Sequence, residues 1–359
     1  MKKTLLFICT TLAILAGCNK QGIPPGSPKD GDVNGGEPVI ESLIVTLSSG
    51  NGTRATSTLD GTAKGNTVSS AMVYVFGSDG NCLAHAAAVK SGDDYQAAFI
   101  LKKASGLTVA AVVNKELEGI TTLESLHNTS TTLDDNTAEG FVMYGEASDI
   151  ATGGDDAVSI DVKHLAAMVE IDKITNSLKE EVFSSKELVL KDIYLINVPV
   201  AAPSFGSYAS YTPSVWANQC GFASGDYDAL LADVDLDEEI GYGESYATPH
   251  YFYGYPNKVT VDHTGESWHT DGAATRLVVE MEWNGTTTWY YPITLVSTFS
   301  GVVQNLFKAN NKLVISELII ENPGSPHPNV PIEKEAASFQ LNILDWNTVL
   351  LGEEGVVVL

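Results

Sequence analysis

Positive charge is scarce in this sequence. The 359 residues contain 20 Lys and Arg against 45 Asp and Glu, which gives a formal net charge of -25. Only two of the cations are arginines, Arg54 and Arg276. Because recognition of phosphate groups requires clustered cations, the composition argues against nucleic acid as a partner and against binding to an anionic membrane surface.

Long apolar runs are also absent, apart from Leu5 to Ala16 near the N-terminus. This run is too short for a membrane-spanning helix, which needs about 20 residues. Because two lysines precede it, it is typical of a secretory signal. It ends in Leu15-Ala16-Gly17-Cys18, which resembles the lipobox of bacterial lipoproteins. We therefore predict a signal peptide over residues 1–17 and lipidation of Cys18, which anchors the precursor to a membrane. The alternative is an ordinary signal peptide with an unmodified cysteine.

Motifs for common catalytic and cofactor chemistry are missing. The sequence has no His-Glu-x-x-His zinc motif, P-loop, GxGxxG or GxSxG. The acidic run Asp233-x-Asp235-x-Asp237 lacks the glycine of a calcium loop, because Glu238 stands in its place. We therefore expect no metal site, no cofactor and no enzyme activity. A secreted glycosidase is the remaining enzyme alternative, since it requires only two carboxylates within about 10 Å across a cleft.

Alternating apolar residues separated by turn signals predict a mostly β protein. In residues 39–47, the odd positions Val39, Leu43, Val45 and Leu47 form one apolar face, with Glu41 as the exception. Asn284-Gly285 is the strongest hairpin signature. Many short strands with turn signals favour β-sandwiches. A further strand is predicted over Lys163 to Ile171, and short helices over Lys115 to His127, Ser177 to Val182 and Asp228 to Ala232.

Composition also suggests how the chain is divided. Residues 18–37 are rich in Gly, Pro and Asp, which predicts a flexible tether. Residues 48–70 contain almost no large apolar side chains, which predicts an exposed loop that includes Arg54. A polar stretch near residue 175 predicts two domains, over residues 38–175 and 176–346. Residues 347–359 form an apolar C-terminal tail.

One aromatic segment supports an alternative function. Tyr251-Phe-Tyr-Gly-Tyr255 offers aromatic rings that could stack on a sugar, or it is a strand with one face in the core. The first interpretation would suit a carbohydrate-binding surface lipoprotein. Such a protein would need neither Arg54 nor the C-terminal tail.

Three features occur together in a fixed order: the lipobox at Cys18, the lone Arg54-Ala55 after the first strand, and the apolar tail. This order resembles the Bacteroidales major fimbrial subunits, the type V pilins. Further segments are similar to those of that family, namely Phe141 to Glu146, Val162 to Glu170, Tyr253 to Asn257, Tyr290 to Pro292, and Asn322 to Pro328 followed by the strand that ends at Trp346.

The resemblance implies a fold and a mode of assembly. It implies two tandem β-sandwich domains of transthyretin-like, Greek-key type, and an outer-membrane lipoprotein precursor that becomes an extracellular fimbria. It also implies that an Arg-specific or trypsin-like protease cuts between Arg54 and Ala55. The lipidated first strand then leaves, and the C-terminal tail of another pilin subunit takes its place. The partners are thus other subunits, the protease and, through the lipid, the outer membrane.

The tail has the side chains that such an exchange requires. It presents Val349, Leu351, Val356 and Val358, or on the alternate face Leu350, Val357 and Leu359, with residues 352–355 as a joint. Burial of four aliphatic side chains gives about 6–12 kcal/mol before the cost of association. The alternative is that the tail is the last strand of its own domain.

Overall fold

Strands dominate the part of the chain that the structure, a computed structural model, describes. The predicted mostly β fold is confirmed. None of the helices in this part is long and apolar enough to cross a membrane. The described residues are 39–48, 67–92, 94–137, 140–154, 157–179, 187–206, 213–219, 221, 228–257, 274–299, 302–330 and 337–345.

Two facing sheets form the N-terminal part of the fold. Their inward side chains alternate along each strand and share one apolar core, which includes Val45, Phe99, Val109 and Ile160. The four-stranded sheet has the order β4-β5-β1-β8, with β1 (Ile40–Ser48), β4 (Val89–Ser91), β5 (Asp94–Lys102) and β8 (Val158–Asp161). The five-stranded sheet has the order β3-β2-β6-β7-β9, with β2 (Ala71–Phe76), β3 (Cys82–Ala87), β6 (Leu107–Val113), β7 (Met143–Ile150) and β9 (Lys163–His164).

Two larger sheets and two small hairpins form the C-terminal part. The first sheet has the order β17-β11-β23-β10-β18, and β24 pairs with β23; its strands are β10 (Ala167–Ile171), β11 (Ile174–Asn176), β17 (Ser245–Tyr246), β18 (His250–Gly254), β23 (Asn311–Ile320) and β24 (Ala337–Asp345). The second has the order β15-β12-β19-β20, and β16 pairs with β12; its strands are β12 (Leu188–Ile196), β15 (Ala232–Asp233), β16 (Glu238–Ile240), β19 (Arg276–Trp283) and β20 (Thr287–Thr294). The hairpins pair β13 (Val198–Pro199) with β14 (Trp216–Ala217), and β21 (Val296–Phe299) with β22 (Val302–Asn305).

The chain passes from the N-terminal sheets to the C-terminal sheets at Leu165 and Ala166. The single strand predicted over Lys163 to Ile171 is therefore wrong, since β9 and β10 belong to different sheets. The corner is stable because its backbone groups are satisfied. Leu165 N–H donates to the Val142 carbonyl, and Asn310 N–H donates to the Ala166 carbonyl.

A large core connects the two parts of the molecule. It takes side chains from the five-stranded N-terminal sheet and from both C-terminal sheets. The rings of Phe141 and Tyr253, for example, lie 4.6 Å apart between centroids. Strand β10 already pairs with the C-terminal strands β18 and β23. The chain therefore enters the C-terminal sheets before the boundary predicted near residue 175. The division into two domains remains a prediction.

The hairpin predicted at Asn284-Gly285 is confirmed. It joins β19 to β20, and both turn residues have positive φ values, 56° and 67°, as a tight primed turn requires.

The described helices are short: α1 (Leu123–His127), α2 (Asp228–Leu231) and a 3-10 turn (Leu133–Asp135). The helix predicted from Lys115 is wrong up to residue 122. The Thr121 carbonyl instead accepts from Cys82 N–H, which holds this segment at the start of β3. The helix predicted from Ser177 lies partly outside the described residues, and residues 177–179 are not helical.

Candidate functional site

Strand β1 lies inside its sheet with a partner on each side. It pairs antiparallel with β5, from Ile40 opposite Lys102 to Leu47 opposite Tyr95. On its other side it pairs in parallel with β8, from Val45 opposite Val158. Removal of β1 would therefore open a gap one strand wide and leave two rows of backbone groups without their partners.

The predicted apolar face of β1 points into the N-terminal core. Leu43, Val45 and Leu47 are buried, with exposed fractions of 4%, 0% and 0%. Val39, the fourth residue of the predicted face, precedes the strand and is 59% exposed. The apolar contact of the strand thus comes from three side chains along its middle and C-terminal part.

Further hydrogen bonds hold β1 beyond the two strand ladders. Lys103 N–H donates to the Val39 carbonyl at 2.8 Å, and Gly153 N–H donates to the Ser42 carbonyl at 3.1 Å. At the other end, Val162 N–H donates to the Ser48 carbonyl at 2.8 Å. The Ser48 hydroxyl donates to Asp161 Oδ1 at 2.7 Å. The strand is therefore bound to neighbours along its whole length.

Glu41, the polar exception on the inward face, is held by a specific set of groups. Thr152 Oγ1 donates to its Oε2 at 2.7 Å, and Lys103 Nζ donates to its Oε1 at 3.1 Å. Its side chain is only 16% exposed. Gly153 makes room for the carboxylate, because a Cβ there would lie 2.6 Å from Glu41 Cδ. A positive φ of 77° also favours glycine at this position.

Because of these groups, we expect the retention of β1 to depend on pH. The hydrogen bond from Thr152 and then that from Lys103 lower the pKa of Glu41 below its ordinary value of 4.5. A carboxylate with a lowered folded-state pKa stabilises the folded protein above its unfolded-state pKa. This stabilisation is lost as the pH falls through the folded-state pKa.

We predict that Glu41→Gln lowers the urea midpoint of the precursor at neutral pH. The difference from wild type should shrink below pH 4.5, because protonation removes the same charge from Glu41. Urea titrations of both proteins at several pH values check this. A difference that stays constant down to pH 3 would contradict it.

The other predicted site residues lie outside the described part of the chain. They are Cys18, Arg54, Ala55, Val349, Leu351, Val356 and Val358. Arg276, the second arginine, lies in β19 and is fully buried.

The aromatic segment Tyr251 to Tyr255 follows the core interpretation. Phe252, Tyr253 and Tyr255 are buried, with exposed fractions of 2% or less. The Tyr255 hydroxyl also donates to the Thr132 carbonyl at 2.9 Å. This segment therefore does not present a row of exposed rings for sugar stacking. Among the described residues, no group of three or more His, Cys, Asp or Glu side chains is arranged to hold a metal ion.

Sequence reasoning did not identify the neighbours of β1. The sequence of β5 does contain a strand signal, because the apolar residues Tyr95, Ala97, Phe99 and Leu101 occupy every second position. Strand β8 has only four residues, too few for a clear period. Lys103 and Thr152 are 62 and 111 residues from Glu41 along the chain, so no local pattern connects them.

Comparison with known proteins shows what this fold is similar to. No protein-family model matches the sequence, and no curated protein matches it. Solved structures of cell adhesion and fimbrial proteins from Bacteroidales do match. A candidate cell adhesion protein from Bacteroides eggerthii is 17% identical and has a TM-score of 0.58, over 85% of this chain and 96% of that one.

Two fimbrial proteins of Porphyromonas gingivalis are also similar. The fimbrilin FimA is 14% identical with a TM-score of 0.58, over 85% of this chain and 98% of its own. The tip fimbrial protein Mfa3 is 12% identical with a TM-score of 0.50, over 86% of this chain and 100% of its own. The resemblance to the Bacteroidales fimbrial subunits is thus confirmed at the level of the fold.

Proposed function

We propose that this protein is a structural subunit of a cell-surface fimbria. The precursor is held at the outer membrane by lipid on Cys18, and a protease cuts between Arg54 and Ala55. The segment that carries β1 then leaves, and the C-terminal tail of another subunit fills the gap. Adhesion and biofilm formation are the roles that suit such a fibre.

The position of β1 supports this proposal most strongly. A strand between two partners, with three buried aliphatic side chains, cannot leave without exposing an apolar gap. At about 1.5–3 kcal/mol for each side chain, loss of their burial would cost about 5–9 kcal/mol. A replacement strand restores both the burial and the ladders, which is the physical basis of strand addition.

The tail fits the role of replacement strand. Val349, Leu351, Val356 and Val358 provide aliphatic side chains, and Gly352 and Gly355 allow a joint between two short strands. The contact joins different surfaces of two copies, so it builds an open filament rather than a closed ring.

The burial of Arg276 sharpens the expected cleavage pattern. The sequence has two arginines, and the side chain of Arg276, in β19, is fully buried. A protease that requires arginine should therefore cut the folded precursor after Arg54 alone. Lysine is much more abundant, so an Arg-specific protease is a better reagent than a trypsin-like one for the first test.

We predict that Arg-specific digestion of lipid-free precursor gives one cut, after Arg54, followed by multimers. Mass spectrometry identifies the cut, and an unboiled denaturing gel shows the ladder of multimers. Arg54→Gln should abolish both the cut and the ladder. Removal of residues 347–359 should leave the cut and abolish the ladder, since the donor strand is then missing.

The two controls separate processing from assembly. A clean cut without any ladder in the full-length protein would contradict self-polymerisation. A ladder that persists without residues 347–359 would contradict the role of the tail. The carbohydrate-binding alternative predicts that this truncation leaves the function of the protein intact.

A further inference from the structure

The groups that hold Glu41 do not leave with β1. Lys103 directly follows β5, and Thr152 and Gly153 lie in the turn after β7. All three belong to the part of the chain that stays after a cut at Arg54. If β1 departs, these residues lose the carboxylate that they bind in the precursor.

This set of residues is built to receive a carboxylate. Ala104 N–H donates to Thr152 Oγ1 at 2.9 Å. The Thr152 hydroxyl donates to Glu41 Oε2 at 2.7 Å, and its other acceptor, the Ala104 carbonyl, is farther away at 3.3 Å. Thr152 is 8% exposed, and Lys103 supplies a positive charge from the rim of the gap. The absence of a side chain at Gly153 provides the space. Charge-assisted hydrogen bonds of this type are among the stronger ones in proteins.

The tail contains a sequence that matches the one around Glu41. In β1, Glu41 is followed at alternate positions by Leu43 and Val45. In the tail, Glu354 is followed at the same spacing by Val356 and Val358. A strand that enters the gap in the direction of β1 would therefore present a carboxylate and two inward aliphatic side chains in the same order.

We propose that Lys103, Thr152 and Gly153 form a carboxylate-binding subsite that takes Glu354 from the tail of another copy. This inference rests on the proposed strand exchange and adds the register of the incoming strand. Glu354 takes the position of Glu41, Val356 that of Leu43 and Val358 that of Val45. In this register the strand continues through Gly355 without a turn, and the position of Leu47 lies one residue beyond Leu359.

Two observations favour this direction and register. A tail parallel to the original β1 places residues 353–359 at the positions of residues 40–46, which are seven of the eight positions that pair antiparallel with β5. Val356 then faces Phe99 across the ladder, as Leu43 does in the precursor. If Glu353 occupied the subsite instead, Leu359 would take the position of Leu47, but Gly355 would stand opposite Phe99 and leave the position of Leu43 without a side chain.

A competition experiment with synthetic tail peptides tests the subsite. Peptides of residues 347–359 are added to full-length subunit cleaved by the Arg-specific protease. The concentration that halves ladder formation is measured for the unmodified peptide and for its Glu354→Gln and Glu353→Gln variants. The same series is repeated on the Lys103→Met subunit, which should fold because the Lys103 side chain is 69% exposed.

We expect the Glu354→Gln peptide to need about tenfold more than the unmodified peptide, because it loses the charge-assisted bonds. The Glu353→Gln peptide should match the unmodified one, and on Lys103→Met subunit the penalty at Glu354 should largely disappear. Three results would overturn the subsite: equal inhibition by all three peptides, a penalty at Glu353 alone, or a penalty at Glu354 that persists on the Lys103→Met subunit. In each case a ladder that depends on the tail would still support strand exchange. If cleaved wild type forms no ladder, the proposed function fails and this inference with it.

Discussion

Replacement of Leu47 by alanine is expected to lower the free energy of unfolding of the precursor by about 2–5 kcal/mol. Leu47 is fully buried and lies opposite Tyr95 in the core between the two N-terminal sheets. The substitution removes apolar contacts and leaves a cavity, which the close-packed surroundings fill only in part. The same loss should speed the departure of β1 after cleavage, since the strand is then held by fewer contacts.

Ile44→Ala is the matched control on the same strand. Ile44 points to the opposite face of the sheet and is 46% exposed, so its truncation should change stability by less than about 0.5 kcal/mol. Urea unfolding of both variants gives the free energies. Size-exclusion chromatography at intervals after cleavage measures the rate at which the segment that contains β1 is released. Equal effects of the two substitutions would show that the Leu47 side chain does not anchor the strand.

Local pattern was enough to predict β1 and the hairpin at Asn284-Gly285. In β1, apolar side chains recur at every second position because alternate residues of a strand share one face. The Asn-Gly pair is informative because both residues accept the positive φ values that a tight hairpin turn needs. These features depend on neighbours in sequence, and the structure agrees with them.

Features that depend on distant parts of the chain were not predictable in this way. The split between β9 and β10 results from contacts of Leu165 and Ala166 with Val142 and Asn310. The early part of the predicted helix from Lys115 is not helical, and there the Thr121 carbonyl accepts from the distant Cys82 N–H. The role of Glu41 is the clearest case. In sequence it interrupts an apolar face, and only its distant partners Lys103 and Thr152 show why a carboxylate is held there.

The second large effect on stability is expected from substitution of Asn329, which accepts a hydrogen bond from the fully buried Arg276. Arg276 Nη1 donates to Asn329 Oδ1 at 2.5 Å, and Nε donates to Thr294 Oγ1 at 3.2 Å. Asn329 Oδ1 also accepts from Asn197 Nδ2 at 3.0 Å. We expect Asn329→Leu to destabilise the protein by about 3 kcal/mol, because a buried cation then loses a close acceptor.

The double variant Asn329→Leu with Arg276→Met should be more stable than Asn329→Leu alone. Replacing both members of a buried polar contact removes the charge that would otherwise lack this acceptor. Thermal and urea unfolding measure the difference, and a double variant less stable than the single one would contradict this account. Proteolysis adds a second readout. Cutting after Arg276 requires opening of β19, so the Arg-specific protease should cut there faster in Asn329→Leu than in wild type. Because cleavage after Arg54 needs no such opening under the proposed function, its rate should stay the same in both proteins.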